Sequence, residues 1–132
     1  MKMRLFYKYI LQVSAILYFV ITITMSFDCV IRKDIKAMSE ISERIEQNIT
    51  ESNFETAIEE YNKLSNKWIS SKDKWLWMIN HAIITDIDLT ISNLGNYINN
   101  NLPDDAVVEK KKLLRQFDNV KDLDTVKLQN IF

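Results

Sequence analysis

Three observations predict an all-α fold in which an amino-terminal transmembrane helix continues into a small antiparallel helical bundle. They are an uncharged apolar run near the start, a near-absence of helix breakers, and apolar residues recurring every three or four positions beyond it. The run is Tyr9 to Phe27, nineteen residues, with Lys2, Arg4 and Lys8 before it and Asp28, Arg32 and Lys33 after it. At about 1.5 Å of rise per residue it reaches roughly 28 Å, near the thickness of a bilayer's hydrocarbon core. Gln12, Ser14, Thr22 and Thr24 are among its polar interruptions, and the threonines can bond back to carbonyls of their own helix.

A cleavable export signal starts the same way, with basic residues and then an apolar stretch. Here the best cleavage match is Thr24 and Ser26, with no alanine, and Cys29 follows a bulky ring and a charge where lipoprotein processing needs small residues. An uncleaved signal-anchor is therefore the expectation, dividing the chain into a basic tail (1–8), an anchor (9–27) and one helical domain (28–132). Counting Lys and Arg on the two sides gives a tie. The short basic tail places the amino terminus in the cytoplasm and the domain outside, since large domains translocate with little regard to their own charge.

Outside the anchor and its tail, 105 residues suffice for one small core. The 17 Lys and Arg less the three before the anchor leave 14 against 18 Asp and Glu, a net charge of −4. That balance argues against nucleic acid, which demands clustered positive charge. The basic cluster Lys110, Lys111, Lys112 and Arg115 reads first as the solvated face of a helix. One cysteine, Cys29, excludes an internal disulfide, so packing alone must hold the domain. The Asn48-Ile49-Thr50 sequon reads as chance in a composition rich in Ile, Lys and Asn, typical of an AT-rich bacterial genome.

One glycine, Gly95, and one proline, Pro103, leave little to stop a helix. Ile31, Ile35, Met38, Ile41, Ile45 and Ile49 form one stripe, predicting a helix over about 30–49 that prolongs the anchor. Ser52-Asn53-Phe54-Glu55 reads as a capping box opening a second helix, about 53–70, with Ala57, Ile58, Tyr61, Leu64 and Trp68 inward. Ser70-Ser71-Lys72-Asp73 offers an end and a fresh cap, although the seven-residue step from Trp68 to Trp75 also permits one continuous helix. A third helix, about 72–99, is apolar at 14 of the 24 positions from Trp75 to Ile98 and so must touch at least two neighbours. Its Asn80, His81, Asp86, Asp88, Asn93 and Asn96 argue against a second span. Pro103-Asp104-Asp105 opens a fourth helix, about 104–120. The apolar tail 123–132 is expected to pack back on the others.

Chemistry is sparse. His81 is the only histidine, with Asp88 seven residues on and Asp86 on the row of Trp68 and Trp75, where partial burial is expected. This is too few ligands for structural zinc, and one glycine builds neither a phosphate loop nor a nucleophile elbow. No catalytic residues, cofactor or metal site are expected. Trp68 and Trp75 read as core; Trp77 points away from them, toward His81 and Ile84, and is a candidate partner anchor.

With Trp68, Trp75, Ile79, His81 and Ile87, and the ending Leu128-Gln129-Asn130-Ile131-Phe132, the chain resembles domain of unknown function family 4363, small single-span proteins of Gram-positive spore-forming bacteria. The resemblance covers most of the chain. It implies a helical domain on an amino-terminal anchor and an acidic residue close after the histidine, where Ala82, Ile83 and Ile84 intervene here; it implies no activity. The resulting expectation is a single-pass protein in the bacterial cell membrane. Its partners are the bilayer and another protein, not nucleic acid, and its interaction residues are Trp77, His81 and Asp88. A ligand-binding or sensory module working with a separate membrane subunit is the alternative.

Overall fold

A computed structural model describes residues 2–129, with side chains described through residue 123. The described residues form four helices and no strand: α1 (Lys2–Thr50), α2 (Phe54–Trp75), α3 (His81–Asn99) and α4 (Pro103–Gln129). The fold is all-α, as the breaker-poor sequence requires. The chain divides into two compact units, the first ending at Ile31 and the second starting at Arg32.

The first unit is the leading part of α1, which contains the one described helix long and apolar enough to cross a membrane. Its most apolar stretch has a mean hydropathy of 2.0 and none of it is buried. Thr22 Oγ1 donates to the Tyr18 carbonyl at 2.8 Å and Thr24 Oγ1 to that of Val20 at 2.9 Å, so these hydroxyls are satisfied within the helix, as apolar surroundings demand.

In the second unit the remainder of α1 carries the expected stripe. Ile35, Met38, Ile45 and Ile49 are buried and Ile41 half-buried. The helix stops at Thr50 because Ser52 adopts φ 57°. The Asn53 amide then reaches back to the Asn48 carbonyl (2.8 Å) and that of Ser52 to Ile49 (3.0 Å), the paired bonds of a Schellman ending. This revises the capping box. Ser52 closes α1 instead of opening α2, whose cap is Asn53, accepting from the Thr56 amide at 3.4 Å.

The Ser70–Asp73 segment does not end α2. The Ser70 hydroxyl donates back to the Lys67 carbonyl at 2.9 Å, so it is unavailable to cap a following helix, and α2 continues to Trp75. The boundaries 53–70 and 72–99 are thus corrected to Phe54–Trp75 and His81–Asn99. The break lies at Leu76–Asn80, where the Met78 and Ile79 amides both bond the Trp75 carbonyl and Asn80 Oδ1 caps α3 through the Ala82 amide at 2.8 Å.

Helix α3 touches two neighbours, as its apolar circumference predicted. It meets α2 through Trp68 and Asp88, and α4 through Asn93 Nδ2, which donates to Glu109 Oε1 at 3.1 Å. Gly95 is no breaker. It is buried inside α3 against the Tyr61 ring of α2, where a Cβ would lie 2.3 Å from Tyr61 Cζ.

Asn101, at φ 54°, closes α3 with the same Schellman pair: Leu102 amide to the Tyr97 carbonyl, 2.9 Å, and Asn101 amide to that of Ile98, 3.1 Å. Pro103 then begins α4 with Asp104 and Asp105 in its first turn. That helix runs to Gln129, nine residues beyond the expected 120. The expected packing of the 123–132 tail concerns side chains outside the described residues, apart from Leu123, which is 43% exposed.

Candidate functional site

The three residues singled out from the sequence fall in different surroundings. Trp77 stands in the turn after α2, 82% exposed beside Leu76 at 42%. His81 is the first residue of α3 and is exposed. Asp88 is half-buried with its carboxylate engaged: Trp68 Nε1 donates to it at 2.5 Å and Lys72 Nζ lies 3.2 Å away. Asp88 therefore joins α2 to α3. Asp86, expected to be partly buried, is exposed; the chain breaks between Trp75 and α3, so the helical row projected from Trp68 does not continue to it.

Trp68 and Trp75 are 2% and 0% exposed and meet edge to face with ring centroids 5.3 Å apart; Phe117 extends the cluster, 6.2 Å from Trp75. Both indole N–H groups are satisfied by carboxylates, Trp68 by Asp88 and Trp75 by Asp34 Oδ2 at 3.2 Å.

Besides Glu109, buried on α4 and accepting from Asn93, three charged side chains stand at core positions that the sequence reading passed over. Asp34 lies between Ile31 and Met38, Glu60 between Ala57 and Leu64, and Lys110 between Ala106 and Leu113, each spaced by three and four residues. Each charge thus interrupts an apolar stripe, which was the available signal. Each is buried and joins two helices. Asp34 meets Lys67 at 2.8 Å, Glu60 meets Arg44 at 2.8 Å and Lys63 at 2.5 Å, and Lys110 meets Glu43 at 2.8 Å and also Glu46. The first member of the lysine cluster is therefore interior, a correction to the solvated face; Lys111, Lys112 and Arg115 are exposed.

Protonation follows these partners. Burial alone would raise the Asp34 carboxyl, but hydrogen bonds from Lys67 and Trp75 and the Lys67 charge outweigh it and hold the pKa below the usual carboxylate value. The Lys63 hydrogen bond, opposed by burial and aided by Arg44, depresses Glu60 similarly. Burial would lower Lys110, yet Glu43 and Glu46 prevail and its pKa is raised. All three stay charged at neutral pH, so they act as fixed pins between helices.

Among the described residues no group of three or more His, Cys, Asp and Glu is placed to hold a metal ion. The exposed surface of the second unit does carry apolar side chains on a pinned helix pair. Ile69 and Leu89 are 59% and 56% exposed, and each immediately follows a member of the Trp68–Asp88 hydrogen bond. Contacts of α2 with α3 run from Trp68–Asp88 to Tyr61–Gly95, later residues of one against earlier residues of the other, so the pair is antiparallel. In such a pair one step past a facing position turns both side chains to the same side of the plane through the two axes.

A comparison with protein families matches residues 28–131 to the model described as Domain of unknown function (DUF4363), a match that begins where the apolar run ends. No curated protein and no solved structure matches the chain.

Proposed function

The chain belongs to the DUF4363 family, and we propose that it is a single-pass membrane-anchored module whose helical domain binds another membrane protein without catalysis. In this reading residues 9–27 remain uncleaved in the membrane, the amino terminus is cytoplasmic, and helices from residue 32 onward form an antiparallel bundle outside. Pairwise pins between α1 and α2, α2 and α3, and α1 and α4 support the bundle. The observation that carries the binding role is the exposed Ile69 and Leu89 pair on one side of the α2–α3 hairpin.

The test is capture of the intact protein from native membranes after mild cross-linking, beside the double variant Ile69→Glu, Leu89→Glu. A stoichiometric partner lost in the variant is expected. Recovery of both proteins as free monomers would overturn the proposal. A second reading, ligand binding, is favoured by one observation: an open groove of about 490 Å³ lined by Ile83, Asp86, Gln116, Asn119, Asp122 and Leu123, where Gln116 has a buried amide oxygen with no partner among the described residues. Ligand-dependent chemical shifts at Gln116 with Ile69 and Leu89 unperturbed would favour it.

A further inference from the structure

We propose that the Leu76–Trp77 turn is a bilayer-docking element, seated in the headgroup zone of the same membrane that holds the chain's own anchor. The inference rests on the reading of residues 9–27 as membrane-inserted, and adds a second, peripheral contact made by the helical domain.

The first observation is exposure of the wrong kind for water. Trp77 is 82% exposed and Leu76 42%, adjacent in a five-residue turn, while Trp75 immediately before them is fully buried and Ile79 is 6% exposed. The turn thus has a sealed inner side and an apolar outer tip. An indole ring with one polar N–H and a flat hydrocarbon body is favoured at the boundary between headgroups and acyl chains.

The second observation is where the tip lies within its unit. Trp75 Nε1 donates to Asp34 Oδ2 at 3.2 Å, and Lys67 pairs with the other oxygen of Asp34 at 2.8 Å. These contacts hold the end of α2, and so the start of the turn, against the first residues of the second unit. Six residues, 28–33, separate Asp34 from Phe27 at the end of the apolar run. Even fully extended, that connection spans no more than roughly 25 Å. The tip is tethered beside a bilayer surface, so its local concentration there is high and a weak affinity suffices to keep it seated.

The third observation is charge. Arg32, Lys33 and Lys36 lie near Asp34 in the chain, and Lys74 precedes the turn; all four are exposed. Asp73 is the exposed acid beside the turn, and Asp86, Asn119 and Asp122 line a groove with Ile83, close after it in the chain. The basic residues on α1 and at the end of α2 suit phosphate-bearing headgroups, with Asp73 the exposed acid among them at the turn.

The full chain, reconstituted into phosphatidylcholine vesicles carrying a fraction of lipid spin-labelled near the headgroup, tests this by tryptophan quenching. Trp68 and Trp75 are 2% and 0% exposed, so quenching reports Trp77. The expected result is that the protein floats with the vesicles, that the labelled lipid quenches wild type at least twofold more than Trp77→Phe, and that aqueous acrylamide quenches Trp77 poorly. If both proteins float but Trp77 is quenched by acrylamide and not by lipid, the docking is overturned and the anchor stands. If neither floats, the anchor reading fails and the docking with it. Trp77→Phe changes an exposed side chain, and an unchanged helical circular dichroism spectrum confirms that its fold is intact.

Discussion

Replacing Gly95 with alanine opposes two effects whose sizes can be estimated separately. In a helix interior alanine is favoured over glycine by about 0.8–1 kcal/mol, because glycine loses more backbone freedom on folding. At this position, however, the new methyl carbon would stand 2.3 Å from Tyr61 Cζ, 2.4 Å from its Oη and 2.7 Å from Cε1, all well inside contact distance. The tyrosine ring is half-buried between α2 and α3, so it must swing outward or the helices must part. Overpacking of this kind costs about 1–3 kcal/mol. The expected net runs from about neutral to about 2 kcal/mol of destabilisation, or a drop in Tm of up to several degrees for a domain of this size. Thermal denaturation of the full chain in detergent, followed by circular dichroism, measures it. The decisive comparison is with Tyr61→Ala, which removes the obstructing ring. In that background Gly95→Ala should turn neutral or stabilising, a coupling of at least about 1 kcal/mol between the two sites. A stabilising Gly95→Ala with Tyr61 intact, or strictly additive effects, would refute the argument that the glycine makes room for the Tyr61 ring.

Further predictions follow from the caps, the pins and the unassigned histidine. Ser52→Gly should stabilise by roughly 0.5–1 kcal/mol, because Ser52 holds φ 57° at the helix-ending position glycine prefers; a lowered Tm would contradict that. Lys110→Ala should destabilise by about 1–2 kcal/mol, less than for a fully interior pair because Glu43 is 60% exposed, and urea titration reads this directly. Asp34 and Glu60 have folded pKa values below their ordinary 3.8 and 4.5, so the unfolded chain binds more protons there; their contribution is intact above about pH 5 and fades as pH falls through the folded values. Asp34→Asn with Glu60→Gln should flatten that acid limb in urea midpoints taken against pH. His81→Ala should leave Tm and partner capture unchanged, and loss of either would give the exposed histidine a role the geometry does not show.

Much of the architecture was legible because it depends on periodicity. The Ile35–Ile49 stripe, the inward Trp68 and Trp75, the two-neighbour α3 and the Pro103 start each follow from spacing alone. The ends expected for α1 and α3, 49 and 99, fall within a residue of Thr50 and Asn99, where Ser52 and Asn101 take the left-handed conformation while the one glycine is spent on packing. The break between α2 and α3 was harder. Ser70 had the chemistry of a cap but turned its hydroxyl back onto Lys67, and Asn80 capped α3 instead. Both side chains were equally able in sequence, and burial of Trp75 at the end of α2 decided between them. Of the suggested site, Trp77 is exposed because it stands in the turn after α2, which the projection along one continuous helix did not foresee. Asp88's engagement did not, because its partners Trp68 and Lys72 lie on another helix.

The buried charges explain how such a repetitive sequence arrives at one arrangement. Stripes of isoleucine and leucine are nearly interchangeable, and without disulfides little in an apolar interface distinguishes one sliding register from another one turn away. A charge at a core position changes that. Shifting α2 by one turn against α1 would leave Asp34 buried without Lys67 and the Trp75 N–H, and Glu60 without Arg44, each a desolvated group lacking its partner. Sliding α4 would do the same to Lys110. The three pins contribute modestly to the stability of the correct register and penalise incorrect ones heavily. Replacing Asp34, Lys67, Glu60 and Arg44 together with apolar residues should therefore preserve helicity and Tm while broadening the amide and methyl resonances of α1 and α2. Sharp, singly populated spectra from that variant would show that packing of the tryptophan cluster alone sets the register.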